Sequence, residues 1–232
     1  DFSESAAIET ARAGHCNCLE VMCTRGLILT SPVYKAAALH GHLPCLKYLI
    51  LQDEFGLNAA VSCAAEGGHF DCLKFLIDCV PGGKQLLGCA YKLAAEHGHV
   101  TCLQSMMLRW ALPKRQDQII LFSAAKMGQL EVLRWGVEAG LQFDANGRAL
   151  TEAVTGGHIH CVEYLCSLGC ALTSSHLQMA GINNHTALFA HLLERDCPVS
   201  LDVTRGVVSR GHLELLKLAH EKGAPWDEQT CS

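Results

Sequence analysis

The chain has 232 residues, half of them hydrophobic and 18% charged, with a formal net charge of −5 when its 13 histidines are counted neutral. That apolar content supplies a packed interior and excludes a disordered chain. The sign and scatter of the charge argue against nucleic acid, whose phosphates require a basic stripe, and the longest apolar runs, CLKYLILQ and QSMMLRWAL, fall short of the roughly 20 residues of a membrane helix.

Fourteen cysteines would suit the disulfide framework of a small secreted chain. In a chain of this size with no visible signal peptide they are expected as reduced thiols. This points to an intracellular reducing compartment, the cytoplasm first and an organelle interior after removal of a targeting segment second. The sequence opens without Met at DFSESAAIETARAGH and reads as a fragment or as a processed mature form.

The dipeptide Gly-His, or a relative of it, recurs at Gly14, Gly41, Gly68, Gly98, Gly128, Gly157, Asn184 and Gly211, at spacings of 27, 27, 30, 30, 29, 27 and 27. A period in this range marks a stack of supersecondary units. In the first unit, about residues 1–29, an inner helix is predicted up to the small pair Thr10 and Ala11, then a turn at Gly14, then an outer helix carrying Leu19. The same order follows in units of about 30–56 (Ala37, Ala38, then Leu46 and Leu49), 57–85 (Ala64, Ala65, then Leu73 and Leu76) and 86–115 (Ala94, Ala95, then Leu103 and Met106). It continues in 116–143 (Ala124, Ala125, then Leu133), 144–172 (Ala153, Val154, then Val162 and Leu165), 173–199 (Ala180, Gly181, then Phe189 and Leu192) and 200–227 (Val207, Val208, then Leu216). Residues 228–232 begin a ninth unit, and the whole is expected to form a single domain, an all-α solenoid of eight helix-turn-helix repeats.

The small pairs let a helix press against its neighbours, and the i, i+3 apolar spacing gives the second helix one buried face. Glycine at the turn suits the left-handed residue that ends a helix, and Asn184 is the next residue type to tolerate it. Gly140, Gly169 and Gly223 are expected to end outer helices, in segments such as GLQFD (140–144) and GAPWD (223–227), where Pro225 blocks continuation.

The stretches AAALHGHLPCLKYLI, CAAEGGHFDCLKFLI and RGHLELLKLAHEKGAPWDE resemble ankyrin repeats, in the shorter variety found in large protist and viral families. The resemblance runs the length of the chain. It departs from the standard repeat in a period below 33 and in lacking the TPLH turn, which implies that the projecting β-hairpins are trimmed to short loops. It implies a protein-binding function.

Candidate chemistry is weak throughout. Cys18, Cys45, Cys72, Cys102 and Cys161 occupy one repeat position, where Val132, Leu188 and Leu215 stand in other units, so they are expected to fill core volume. The cluster His158, His160, Cys161 is a poor metal candidate beside that packing role. His15, His42, His69, His99, His158, His185 and His212 share another position, where an imidazole can bond backbone groups left open at helix ends. The aromatic column Tyr48, Phe75, Trp135 and Tyr164 reads as a seam between stacked units. With no nucleotide, nucleophile-elbow or zinc-protease motif, no catalytic residue, metal or cofactor is assigned.

Positions that build a solenoid must recur, whereas positions that touch a partner are free to differ. Six residues before each turn stand Ile8, Lys35, Ser62, Lys92, Phe122, Thr151, Gln178 and Arg205; two before it stand Arg12, Leu39, Glu66, Glu96, Lys126, Thr155, Ile182 and Ser209. These columns lie one helical turn apart and share no chemistry. Lys92, Glu96, Phe122 and Lys126, an aromatic among charged neighbours, form the expected contact patch for a protein partner on the concave face. The leading expectation is an interaction scaffold or adaptor without catalysis. The alternative is an accessory subunit built permanently into a large, organellar assembly.

Overall fold

The computed structural model describes residues 3–52, 56–112, 116–142 and 147–225. Among these residues sixteen α-helices pair into eight hairpins: α1 (Glu4–Arg12) with α2 (Cys16–Thr24), α3 (Ser31–Leu39) with α4 (Leu43–Gln52), α5 (Leu57–Glu66) with α6 (Phe70–Cys79), and α7 (Leu87–Glu96) with α8 (Val100–Arg109). They continue as α9 (Gln116–Lys126) with α10 (Leu130–Glu138), α11 (Arg148–Gly156) with α12 (Ile159–Ser167), α13 (Ser174–Ile182) with α14 (Thr186–Glu194), and α15 (Leu201–Ser209) with α16 (Leu213–Glu221). The chain divides into two compact units, Asp1–Ile120 and Leu121–Ser232. Each is an all-α solenoid of stacked hairpins. In the first, α1, α3, α5 and α7 pack in succession as an inner layer, and α2, α4, α6 and α8 as an outer one. In the second, α11, α13 and α15 form the inner succession, with α10 against α12 and α14 against α16 outside.

The joint inside each hairpin follows from backbone bookkeeping at a helix end. The last carbonyls of a helix have no partner within it, and a left-handed residue lets the following N–H groups fold back onto them. Gly41 takes φ +77°, donating its N–H to the Ala38 carbonyl at 3.3 Å, while the His42 N–H reaches the Ala37 carbonyl at 2.9 Å. The small pair therefore has two roles: its side chains are fully buried between neighbouring helices, and its carbonyls receive the turn. Asn184 performs the same step at φ +59°, bonding Gly181 and leaving His185 to bond Ala180.

Outer helices end in two ways, and the difference accounts for the two 30-residue spacings. After α2, α10, α12 and α16 a glycine turns left-handed, and after α14 Asp196 does so at φ +54°. After α6 and α8 the capping residues Val80 and Trp110 are extended instead, ψ 126° and 140°, so the chain runs on before the next inner helix. Those are the units whose turns lie 30 residues from the next. No strand occurs among the described residues, so the projecting hairpins of the standard repeat are indeed reduced to loops there. Phe143 and Asp144 of the GLQFD segment, Asp1, and the final WDEQTCS lie outside the described residues.

The core is the face that the outer helices turn inward. Leu46, Leu73, Leu103, Leu133, Val162 and Phe189 are fully buried, as are Leu49, Leu76, Met106, Leu165 and Leu192 one turn later. Each such side chain contributes about 1.5–3 kcal/mol through removal from water.

Candidate protein-binding face

The inner helices sort their residues by depth in a way that repeats from unit to unit. Seven residues before each turn stand Ala7, Tyr34, Val61, Tyr91, Leu121, Leu150, Leu177 and Thr204, every one buried. In the adjoining column of Ile8, Lys35, Ser62, Lys92, Phe122, Thr151, Gln178 and Arg205 no residue is buried, nor is any in the column from Arg12 to Ser209 one turn on. Uniform burial beside varied exposure separates frame from surface within one helix.

The four residues singled out fall in both compact units. In the first, Lys92 Nζ stands 3.6 Å from Glu96 Oε1 along α7, an i, i+4 surface pair worth only about 0.3–0.5 kcal/mol. In the second, Phe122 and Lys126 lie one turn apart on α9, Phe122 half-buried and Lys126 exposed. Over the Phe122 ring, 4.9 Å from its centroid, sits the guanidinium of Arg148, which also approaches Glu152 Oε1 at 3.7 Å. Arg148 was not legible as a site residue, because its contact crosses between hairpins 26 positions apart in sequence.

The recurrent histidines bridge hairpins instead of capping their own helices. The ring nitrogen Nε2 of His42 lies 2.8 Å from the Arg12 carbonyl, that of His99 2.6 Å from Glu66, that of His158 3.0 Å from Lys126, and that of His185 2.8 Å from Thr155. In each case the acceptor is a carbonyl left open at the end of the preceding inner helix. Since a carbonyl only accepts, the proton resides on Nε2. The ring then lies against the preceding turn: a Cβ built on Gly68 would stand 2.5 Å from His99 Cγ. Histidine at one turn and glycine at the previous one are thus a matched pair. His15 is exposed, with no inner helix before α1 among the described residues. His15 corrects the expectation that all seven act alike.

Cys45, Cys72, Cys102 and Cys161 are buried, and burial pushes each thiol up to about 11. They fill volume. Cys18, at the same repeat position, is exposed, which corrects its assignment to the core: in later units this position packs against the preceding hairpin, as Cys45 does beside Cys16. The His158, His160, Cys161 cluster does not converge. His158 is committed to the Lys126 carbonyl, Cys161 is buried, and the His160 side chain is 85% exposed. Among the described residues no group of three or more His, Cys, Asp or Glu could hold a metal ion, and no helix is long and apolar enough to cross a membrane. Two rings of the aromatic column make a seam of a different kind from ring on ring: Lys47 Nζ lies 5.9 Å from the Phe75 ring and the Arg134 guanidinium 5.8 Å from that of Tyr164, so these two take a cation from the preceding outer helix.

Comparison with known proteins agrees with this architecture. Residues 34–77 match a family model described as ankyrin repeats (many copies), and residues 91–176 one described as ankyrin repeats (3 copies). A comparison with curated protein sequences finds no match. Among solved structures, the crystal structure of the human ASB11 ankyrin repeat domain is similar in fold, with a TM-score of 0.53 and 18% identity over 74% of this chain and 86% of that one. With the two matched stretches taking in more than half of the residues, and the helical hairpins, small pairs and left-handed turns in their places, the chain belongs to the ankyrin repeat family.

Proposed function

We propose that this chain is an interaction scaffold or adaptor that binds a protein partner across the faces of its inner helices and catalyses no reaction. Ankyrin repeats generally mediate protein–protein interaction, and stacked repeats offer extended binding surfaces. The observation that carries the reading is the depth pattern of the inner helices, an invariantly buried column beside two columns that are never buried and share no chemistry. Lys92 and Glu96 supply contacts from the first unit, Phe122 and Lys126 from the second. The 27- to 30-residue spacing supports placing the chain with the short-period variety of the family, and the thiols that fill its core fit a reducing intracellular setting.

The test is affinity purification with mass spectrometry on the wild-type chain and on Phe122→Ala and Lys92→Ala. Stoichiometric partners lost in the variants, whose melting temperatures stay at the wild-type value, support the scaffold. Recovery of the same set by every variant refutes these contacts. Size measurement on native extract separates an exchanging adaptor from an accessory subunit, which would co-migrate entirely with a large complex.

A further inference from the structure

Charge in the second unit is segregated by layer. On its inner helices the charged residues are Lys126, Arg148 and Arg205 against Glu152 and Asp202, with Arg210 at the end of α15. On its outer helices they are Glu131, Glu138, Glu163, Glu194, Glu214 and Glu221 against Arg134 and Lys217, with Arg195 and Lys222 at the ends of α14 and α16. A chain of net charge −5 thus presents cations on the face whose residues vary most. Cations outnumber carboxylates on the inner layer, and carboxylates outnumber cations on the outer one.

We propose that the partner held by the second unit is an acidic segment of another protein, an Asp- and Glu-rich run carrying one apolar side chain, docked at Phe122, Arg148 and Lys126. The proposal rests on the scaffold reading above. The Arg148 guanidinium is already stacked over Phe122 at 4.9 Å and steadied by Glu152 at 3.7 Å, so little rotamer freedom remains to be lost when a carboxylate meets its donors. Its side chain is 63% exposed, and a surface pair such as that with Glu152 is weak enough to yield to a second carboxylate. Lys126, exposed one turn from Phe122, provides another cation about 6 Å along the axis. The half-buried Phe122 ring supplies the apolar anchor between them.

Nucleic acid fits this face less well. Glu152 and Asp202 interrupt the cations that phosphates would require, and among the described residues of α11, α13 and α15 no aromatic stands as a second platform for stacked bases.

The experiment is selection of displayed random peptides on the wild-type chain. Enriched sequences are then titrated as labelled peptides against wild type, Arg148→Glu, Lys126→Glu and Phe122→Ala, with melting curves to confirm folding. The expected result is enrichment of acidic peptides with an apolar residue, binding that weakens with added salt, and a loss of about tenfold or more in each charge reversal. Enrichment of acid-poor peptides that Phe122→Ala abolishes would overturn the acidic partner and leave the scaffold reading standing. No enrichment, or binding indifferent to all three variants, would remove both. Tighter binding of a single-stranded oligonucleotide than of any selected peptide would also overturn the proposal.

Discussion

His176 Nδ1 accepts the backbone N–H of Thr173 at 3.1 Å, while its Nε2 meets the Thr151 hydroxyl at 3.3 Å, so this imidazole caps one inner helix and ties it to the one before. The first bond needs a bare Nδ1. Protonation would set N–H against N–H, and burial already holds His176 below the usual value of 6.5. Burial lowers His69 as well, helped by neighbouring imidazoles. Below 6.5 the unfolded chain takes up protons that the folded one still refuses, so stability falls as pH drops through that value. Melting temperature measured from pH 7.5 to 5.5 should decline, and His176→Gln should flatten the decline. A profile unchanged in the variant would remove His176 from the account.

Gly68→Ala and Gly140→Ala test the matched turn and ring. Both glycines are left-handed, at φ +72° and +76°, but a Cβ at Gly68 meets the His99 ring whereas one at Gly140 meets nothing within 4 Å. Gly140→Ala should cost about 1 kcal/mol, the conformational term alone. Gly68→Ala should cost about 2–4 kcal/mol, because the ring must leave and the part-buried Glu66 carbonyl loses its donor. Urea denaturation of the two variants decides it, equal losses counting against the ring.

Leu46→Ala removes a fully buried side chain and should cost about 2–5 kcal/mol. Any loss of partner binding should track the unfolded fraction. If binding falls while the chain stays folded at the assay temperature, Leu46 belongs to the interface and not to the frame.

Thiol accessibility separates Cys18 from its repeat equivalents. With Cys102 buried and pushed up to about 11, alkylation of the native chain at neutral pH should modify Cys18 and leave Cys102 unreacted until denaturant is added. Cys102→Ser should destabilise by about 1–3 kcal/mol through an unsatisfied hydroxyl, and Cys18→Ser should be near neutral. Fast native labelling of Cys102 would contradict its packing.

The hairpins, their order and their buried faces were legible because each rests on a residue type with one physical reason recurring in register: a left-handed glycine, a small pair, a leucine one turn from another. What lay beyond the sequence was contact between units. The imidazole of His99 was readable as a backbone ligand, but that its acceptor is Glu66 of the hairpin before, and that this explains Gly68 as well, needs the stacking offset. Arg148 on Phe122 was hidden for the same reason, joining unlike columns of adjacent hairpins. Cys18 shows the opposite failure, where a shared repeat position concealed a different environment.

The histidine bridges carry one more implication. Each reaches back by a single hairpin, His42 to Arg12 and His99 to Glu66, so no joint depends on how many others exist. Excising residues 42–68 would leave Gly41 followed directly by His69, restoring the same dipeptide with the same ring ready to settle on Gly14. The molecule is therefore editable in length by whole modules, and loss or duplication of a hairpin at its glycines changes the reach of the surface while every new neighbour comes from an equivalent repeat position.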